Sequence, residues 1–443
     1  MAQRAPNAAA PALAVLFLVN VLNYYDRQVL GALVEPLRHR FYLSDTQVAA
    51  IPALFTVVYA VAGVPLGRMA DRYSRRWLLA AGIAVWAGLT GLSAAATSYA
   101  FLLATRLGTG IGEAVCAPAA TSWIGDLVPA HRRARAMAGF MMAVPVGVML
   151  SLAISGPLAQ AYGADGWRVA LAVAAIPAIV LAPAVLWLRE PRPDRRQKTT
   201  ACPTSATARL DGRQNTTARP TSFLRIPAFW WIAASGAVAN SALYSFSYFL
   251  PAFLTRVHGV PVGRAGLWSG IGSGAAGILG ALAVSAWGDA LSERWPGGRL
   301  SLAALAPALA VLPLMTALGV PAGSGALAVA LAMAGYGLLQ TYYGLVYAAL
   351  HDVVAADTRG MAMSVYLLVT YLCGAAFGPL LTGRLSDTFA RAAAGARPVT
   401  EAARAIGLHQ AMYAIPALSA LLAAVLWAGA KACKNVGGAC TIQ

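Results

Sequence analysis

Twelve apolar runs, each long enough to cross a lipid bilayer, constrain this chain more than any other feature. They cover roughly 12–33, 46–67, 77–97, 100–122, 134–158, 168–188, 227–250, 264–287, 300–320, 325–350, 360–384 and 405–429. A helical span needs about 20 apolar residues, so twelve occupy about 240 positions of the 443. Charge content agrees, with 11% Asp, Glu, Lys and Arg against about 25% in soluble domains. The sequence therefore predicts an all-α membrane protein of twelve transmembrane helices. Its net charge of +17 invites a nucleic-acid reading, but the basic residues sit in short clusters between the apolar runs. That placement serves orientation in a membrane, and no nucleic-acid partner is expected.

With the N-terminus placed in the cytoplasm, cytoplasmic segments carry the larger share of Lys and Arg. Both termini are therefore expected inside the cell membrane, an inner membrane of bacterial type. A segment rich in Arg, Pro, Thr and Ala divides the spans six and six. The predicted organisation is a first bundle over 1–188, a cytoplasmic linker over 189–225, and a second bundle with a short cytoplasmic tail over 226–443. The basic run Arg192, Arg195, Arg196 and Lys198 in the linker reads as a contact to lipid head groups. The five cysteines show no metal-ligand spacing, and no structural disulfide is expected. The glycine-rich stretch Gly270–Gly280 lies inside a span rather than between a strand and a helix. The chain is read as no enzyme, with no cofactor and no metal.

Two weakly similar halves point to a transporter built from repeats, with its site near the midplane between them. After span 2 come Gly67, Asp71, Arg72, Arg75 and Arg76. After span 4 come Asp126, Arg132 and Arg133. An aspartate in a tight basic turn can accept from a helix N-terminus and pair with arginine, so these residues form a candidate cytoplasmic gate. Around spans 4 and 5 lie Gly108, Gly110, Gly112, Pro145, Gly147, Gly156 and Pro157, a pattern suited to close packing and bending.

These motifs, over the whole chain, resemble the major facilitator superfamily, whose fold sets two pseudo-symmetric six-helix bundles around a central site. Asn23-Tyr24-Tyr25-Asp26-Arg27, Gly110-Ile111-Gly112-Glu113-Ala114 and Asp126-Leu127-Val128-Pro129 resemble its Spinster group. That group's cargo is lysophospholipids, sphingoid phosphates and related amphipathic lipids, moved in bacteria by a proton gradient. A similar pattern occurs in the anion:cation symporters, which carry organic acids. The resemblance therefore implies a proton-coupled carrier of an amphipathic anion, with an organic-acid symporter as the alternative. A non-transporting membrane sensor is the reading from another class.

Four ionisable residues lie inside spans: Asp26, Arg27, Arg106 and Glu113. Such charges cost a few kcal/mol at mid-bilayer, so they face a cavity and pair. Arg106 and Glu113, seven apart, lie near one helix face and about 10 Å apart along it. They can hold one polar ligand between them, or meet Asp26 and Arg27 across the bundle. Asp26 and Glu113 are the candidate proton carriers, and Arg27 and Arg106 the candidate anion anchors. The competing reading is a static network that only ties spans 1 and 4 together. The second half offers uncharged groups at helical spacing: Asn240, Tyr244 and Tyr248 on span 7, Gln340, Tyr343 and Tyr347 on span 10, Tyr366 and Thr370 on span 11. They read as an aromatic wall for an apolar tail, or as packing and interfacial tyrosines. Partners are thus an amphipathic small molecule or lipid, protons and bilayer lipids, and a monomer is expected.

Overall fold

The computed structural model describes residues 6–188, 190, 222–294, 298–354 and 358–435. Most of the expected linker, including its basic run, and the last residues of the tail lie outside this set. All twelve runs are helical, and no strand occurs among the described residues. Spans 1 to 3 are Pro6–Ala32, Asp45–Arg72 and Arg75–Ala94, with a short helix Val34–Phe41 between the first two. Span 4 is Tyr99–Glu113 and Cys116–Leu127, span 5 is Ala130–Met141 and Ala143–Ala161, and span 6 is Gly166–Trp187. In the second half, span 7 is Pro227–His258, span 8 Val262–Arg294, span 9 Gly298–Gly319, and span 10 Gly325–Gln340 with Tyr342–Val353. Span 11 runs Arg359–Thr370, a π-turn Tyr371–Ala375, then Phe377–Ala394. Span 12 is Glu401–Met412 and Ala414–Asn435.

Ten of these spans are long and apolar enough to cross a membrane by length and composition. The two that do not qualify are spans 1 and 7. Span 1 carries Asn20, Asn23, Asp26, Arg27 and Gln28, and span 7 carries Ser235, Asn240, Ser241, Ser245 and Ser247. Those polar groups are mostly buried, so the two least lipid-like helices are the ones turned toward protein.

Packing repeats between the halves. Span 3 lies on span 6, span 2 on span 4 and span 1 on span 5; span 9 lies on span 12, span 8 on span 10 and span 7 on span 11. Across the divide, span 2 meets span 11 and span 5 meets span 8, which is one contact applied twice by an approximate two-fold axis. The 5–8 seam depends on small residues. A Cβ on Gly266 would stand 2.7 Å from the Leu152 carbonyl oxygen and 2.9 Å from the Gly156 Cα. Gly266→Leu is therefore expected to wedge the seam apart, an overpacking cost of about 1–3 kcal/mol. Faster thiol labelling of a cysteine placed at Ser155, from the side opposite the termini, is the check.

The halves are joined unevenly. Both chain ends lie at one face. Among the described residues, every hydrogen bond between halves falls from mid-depth toward the opposite face. Gln28 donates to Ser247 (2.7 Å), and Tyr248 to the Val48 carbonyl (3.0 Å). Gln160 accepts from the Gly263 amide (2.8 Å), and Asp387 from the Asp45 and Thr46 amides (2.9 and 2.8 Å). Among the described residues, the bundles are thus sealed at the opposite face.

Candidate functional site

Span 1 is brought close to its neighbours by Gly147 of span 5. A Cβ there would stand 2.5 Å from the Val21 carbonyl oxygen and 2.8 Å from the Tyr24 Cβ. This approach sets Asp26 and Arg27 against span 4, where each finds a partner. Arg106 donates to Asp26 at 2.8 Å. Thr90 donates to the same carboxylate at 2.9 Å, and Arg106 also reaches Thr90 and Thr109 at 2.8 and 3.2 Å. Arg27 Nε donates to Glu113 Oε2 at 2.9 Å, and Asn23 to the same oxygen at 3.2 Å. Of the two arrangements open to Arg106 and Glu113, the geometry has the pairing across the bundle.

The two pairs differ in character. Asp26 and Arg106 are buried, and both Asp26 oxygens have donors. Glu113 is wholly buried, and its Oε1 has no hydrogen-bond partner. Glu113 ends the first helix of span 4, just before a two-residue interruption. Arg27 is the exposed member, with 10% of its side chain accessible. Its Nε bond leaves both terminal nitrogens uncommitted to any carboxylate. Three rings surround the guanidinium: Tyr59 at 3.9 Å, Tyr24 at 5.1 Å and Phe55 at 5.8 Å from its carbon. None of these rings was among the expected site residues. Their signal was faint but present, since Phe55 and Tyr59 repeat the four-residue helical step inside span 2.

From the second half, Tyr244 comes within electrostatic reach of Arg27 and Tyr59. Tyr343 donates to Asn240 at 3.1 Å, and Gln340 to Tyr336 at 3.2 Å. Tyr343, Tyr347 and Tyr366 follow one another with ring centres 5.7 Å apart. Tyr366 also meets Tyr342 at 3.2 Å, and Tyr342 meets Ser235 at 2.8 Å. Thr370 is buried beside Tyr366 and Gly236. Tyr248 stands apart from this group: its hydroxyl is spent on span 2 in the sealed region.

Among the described residues, the basic turns after spans 2 and 4 find their partners within the first half. Arg75 pairs with Asp126, and Arg76 donates to the Leu186 carbonyl at 3.3 Å. Glu190 accepts from Ser74 Oγ at 2.6 Å and from the Arg75 amide at 3.0 Å, closing the N-terminus of span 3. Arg72, Arg132 and Arg133 are exposed, and a Cβ on Gly67 would make only an ordinary contact with Pro118. The Asp71 side chain lies outside the described set.

The charge cluster that does join the halves is at the opposite face. Arg256, near the end of span 7, donates through Nη1 and Nη2 to Asp45 at 2.7 Å each and through Nε to Glu35 at 2.6 Å. Arg38 bridges Glu35 at 3.0 Å and Glu401 at 2.6 Å, while Ser386 donates to Asp45 at 2.6 Å. Sequence reading missed it because each residue, taken singly, is an ordinary charge at the end of a span.

The chain as a whole has known relatives. A crystal structure of a bacterial homolog of the human lysosomal transporter Spinster, inward-facing and occupied, superposes with a TM-score of 0.79. It is 26% identical, and the match covers 97% of this chain and 98% of that one. An MFS-type efflux pump of Mycolicibacterium smegmatis is 33% identical over 384 residues, 86% of either chain. A probable L-galactonate transporter of Escherichia coli is 28% identical over 276 residues, 60% of this chain and 59% of that one. The Major Facilitator Superfamily profile matches residues 16–379, and with twelve helices in two related bundles this chain belongs to that superfamily of membrane transporters.

Proposed function

We propose that the protein is a proton-coupled secondary transporter that moves an amphipathic anion across an inner membrane by alternating access. The cargo is of the lysophospholipid or sphingoid phosphate type, and the terminal face is cytoplasmic. The observation that carries this reading is the pair Arg27–Glu113. One oxygen of a wholly buried carboxylate lacks a donor, and its arginine is the member of the pair that keeps accessible surface.

Placing a proton on Glu113 removes a buried negative charge and releases Arg27 as an uncompensated cation. An anionic head group can then take that cation by a forked hydrogen bond. Proton binding and anion binding thus favour each other, a coupling that by linkage is reciprocal. It fits carriage of both in one direction. Asp26 and Arg106 form the more static pair, which holds span 1 in register against spans 3 and 4 and stabilises the charge beside Glu113. Tyr244, Tyr343, Tyr347 and Tyr366 offer ring faces for an alkyl chain, and Asn240, Gln340 and Thr370 offer polar atoms beside the head group. The turn Asp71–Arg76, with Asp126, Arg132 and Arg133, would close the terminal face in the alternate state. Each state is selected by the contacts that only it makes.

The relative named as a probable L-galactonate transporter supports a second reading, a sugar-acid or carboxylate symporter. Purified protein in liposomes under an imposed pH gradient separates the two. Uptake of radiolabelled oleoyl lysophosphatidate in excess of a sugar acid supports the first, and the reverse order supports the second. Binding without gradient-driven flux of either would remove the transport reading.

A further inference from the structure

We propose that Tyr59 of span 2 and Tyr371 of span 11 form an aromatic lid over Arg27 that selects for anions bearing an apolar chain. The inference deepens the reading of Arg27 as anion anchor and rests on it. Three observations support it. The Tyr59 ring lies 3.9 Å from the guanidinium carbon, the nearest of the three rings around it. Tyr59 also meets Tyr371 edge-on across the divide between halves, with ring centres 6.2 Å apart at an interplanar angle of 60°. Phe55 lies beside Tyr59 at 6.3 Å and 14°, itself 5.8 Å from the same guanidinium carbon, which limits how far the ring can swing aside within its own half.

Tyr371 is held there by an irregularity of backbone. It opens the π-turn Tyr371–Ala375, and such turns recur where a helix must aim a side chain at a functional site. The turn is backed by Gly374, where a Cβ would stand 2.6 Å from the Ala237 carbonyl oxygen and 2.9 Å from the Asn240 Cβ. Span 11 thus presses on span 7 at the point where it turns Tyr371 toward span 2.

A ring face over a cation competes with an incoming anion for that cation. A small hydrophilic anion must displace Tyr59 and gives nothing back to the ring. An anion with an alkyl chain displaces it equally but then offers the freed faces of Tyr59 and Tyr371 an apolar surface to cover. The lid therefore discriminates against the bare head group more than it assists the lipid. Because its two rings belong to different halves, displacing them also removes a contact between the bundles at the depth of the site.

The test uses two probes that share a head group, glycerol 3-phosphate and its oleoyl ester, measured by equilibrium binding to the full chain in nanodiscs. Tyr59→Ala is expected to bind glycerol 3-phosphate about tenfold tighter than wild type, with little change for the ester, so the preference for the chain-bearing probe falls. Tyr59→Phe keeps the ring and should keep the wild-type preference. In an Arg27→Ala background the gain from Tyr59→Ala should vanish, which a general loosening of the fold would not produce. Unchanged glycerol 3-phosphate affinity in Tyr59→Ala overturns the lid, as does a gain that survives without Arg27. Absence of gradient-driven ester flux in wild type would instead overturn the proposed function, and the binding comparison would still decide the lid.

Discussion

Replacing Arg256 with alanine is expected to turn the resting protein outward and to cut transport by on the order of a hundredfold. Arg256 makes three hydrogen bonds of 2.6–2.7 Å to Glu35 and Asp45. All three side chains are nearly inaccessible. Removing the arginine leaves buried Asp45 without its cation and Glu35 with Arg38 alone, a cost of about 3–5 kcal/mol. The sealed state bears that cost and a state open at this face does not, since water then reaches both carboxylates. A carrier alternates only while its two states have similar free energies, so a shift of this size strands it in one. Lysine restores the charge but not the fork that grips Asp45, and Arg256→Lys should recover part of the activity. The check is a cysteine at Ser247, in the sealed region, treated with an impermeant maleimide from outside. Labelling that stays as slow as in the parent, with normal flux, would dispose of the lock.

Glu113→Gln should abolish gradient-driven accumulation while leaving substrate exchange largely intact. The amide keeps the shape and the hydrogen bond to Arg27 through its oxygen, but it cannot take up and release a proton. Accumulation should fall about a hundredfold or more, in line with loss of a group that acts in proton transfer. Exchange of labelled for unlabelled substrate needs no net proton movement and should stay within a few-fold of the parent. Asp26→Asn is expected to behave differently. Arg106 would lose its anion inside the first bundle, and the loss should appear as stability, about 3–5 kcal/mol, in a thermal melt of the detergent-solubilised protein. Asp26 and Glu113 would then be separated into one that braces and one that titrates. Should both variants accumulate substrate normally, neither is a proton carrier.

The fold was legible because lipid imposes a length rule, which ten spans obey outright and from which spans 1 and 7 depart only through their buried polar residues. The four intramembrane charges were legible for the same reason, each an exception to that rule. Their pairing was not. Spacing along span 4 fixes that Arg106 and Glu113 share a face, but the rotation of span 1 against that face is set by Gly147 on a third helix. Tyr248 illustrates another limit. It repeats the four-residue step of Asn240 and Tyr244, yet eight residues lift it about 12 Å along the axis from Asn240, out of the site and into the seal. The lock was invisible because Glu35, Asp45, Arg256, Asp387 and Glu401 come from four loops or span ends far apart in sequence. Only the closing of one half on the other makes them a cluster.

Span 2 begins with a capping box of its own, in which Ser44 accepts from the Gln47 amide and Gln47 from the Ser44 amide. Asp387 adds a second cap from the other half, on the amides of Asp45 and Thr46. When the halves separate, the borrowed cap departs and the resident one stays. The first turn therefore has no reason to fray, and amide hydrogens at 47 and 48 should exchange slowly in both conformers, while those at 45 and 46 follow the movement. Opening at this face then amounts to hydrating carboxylates rather than melting a turn, which keeps the moving surface as stiff as the bundle behind it.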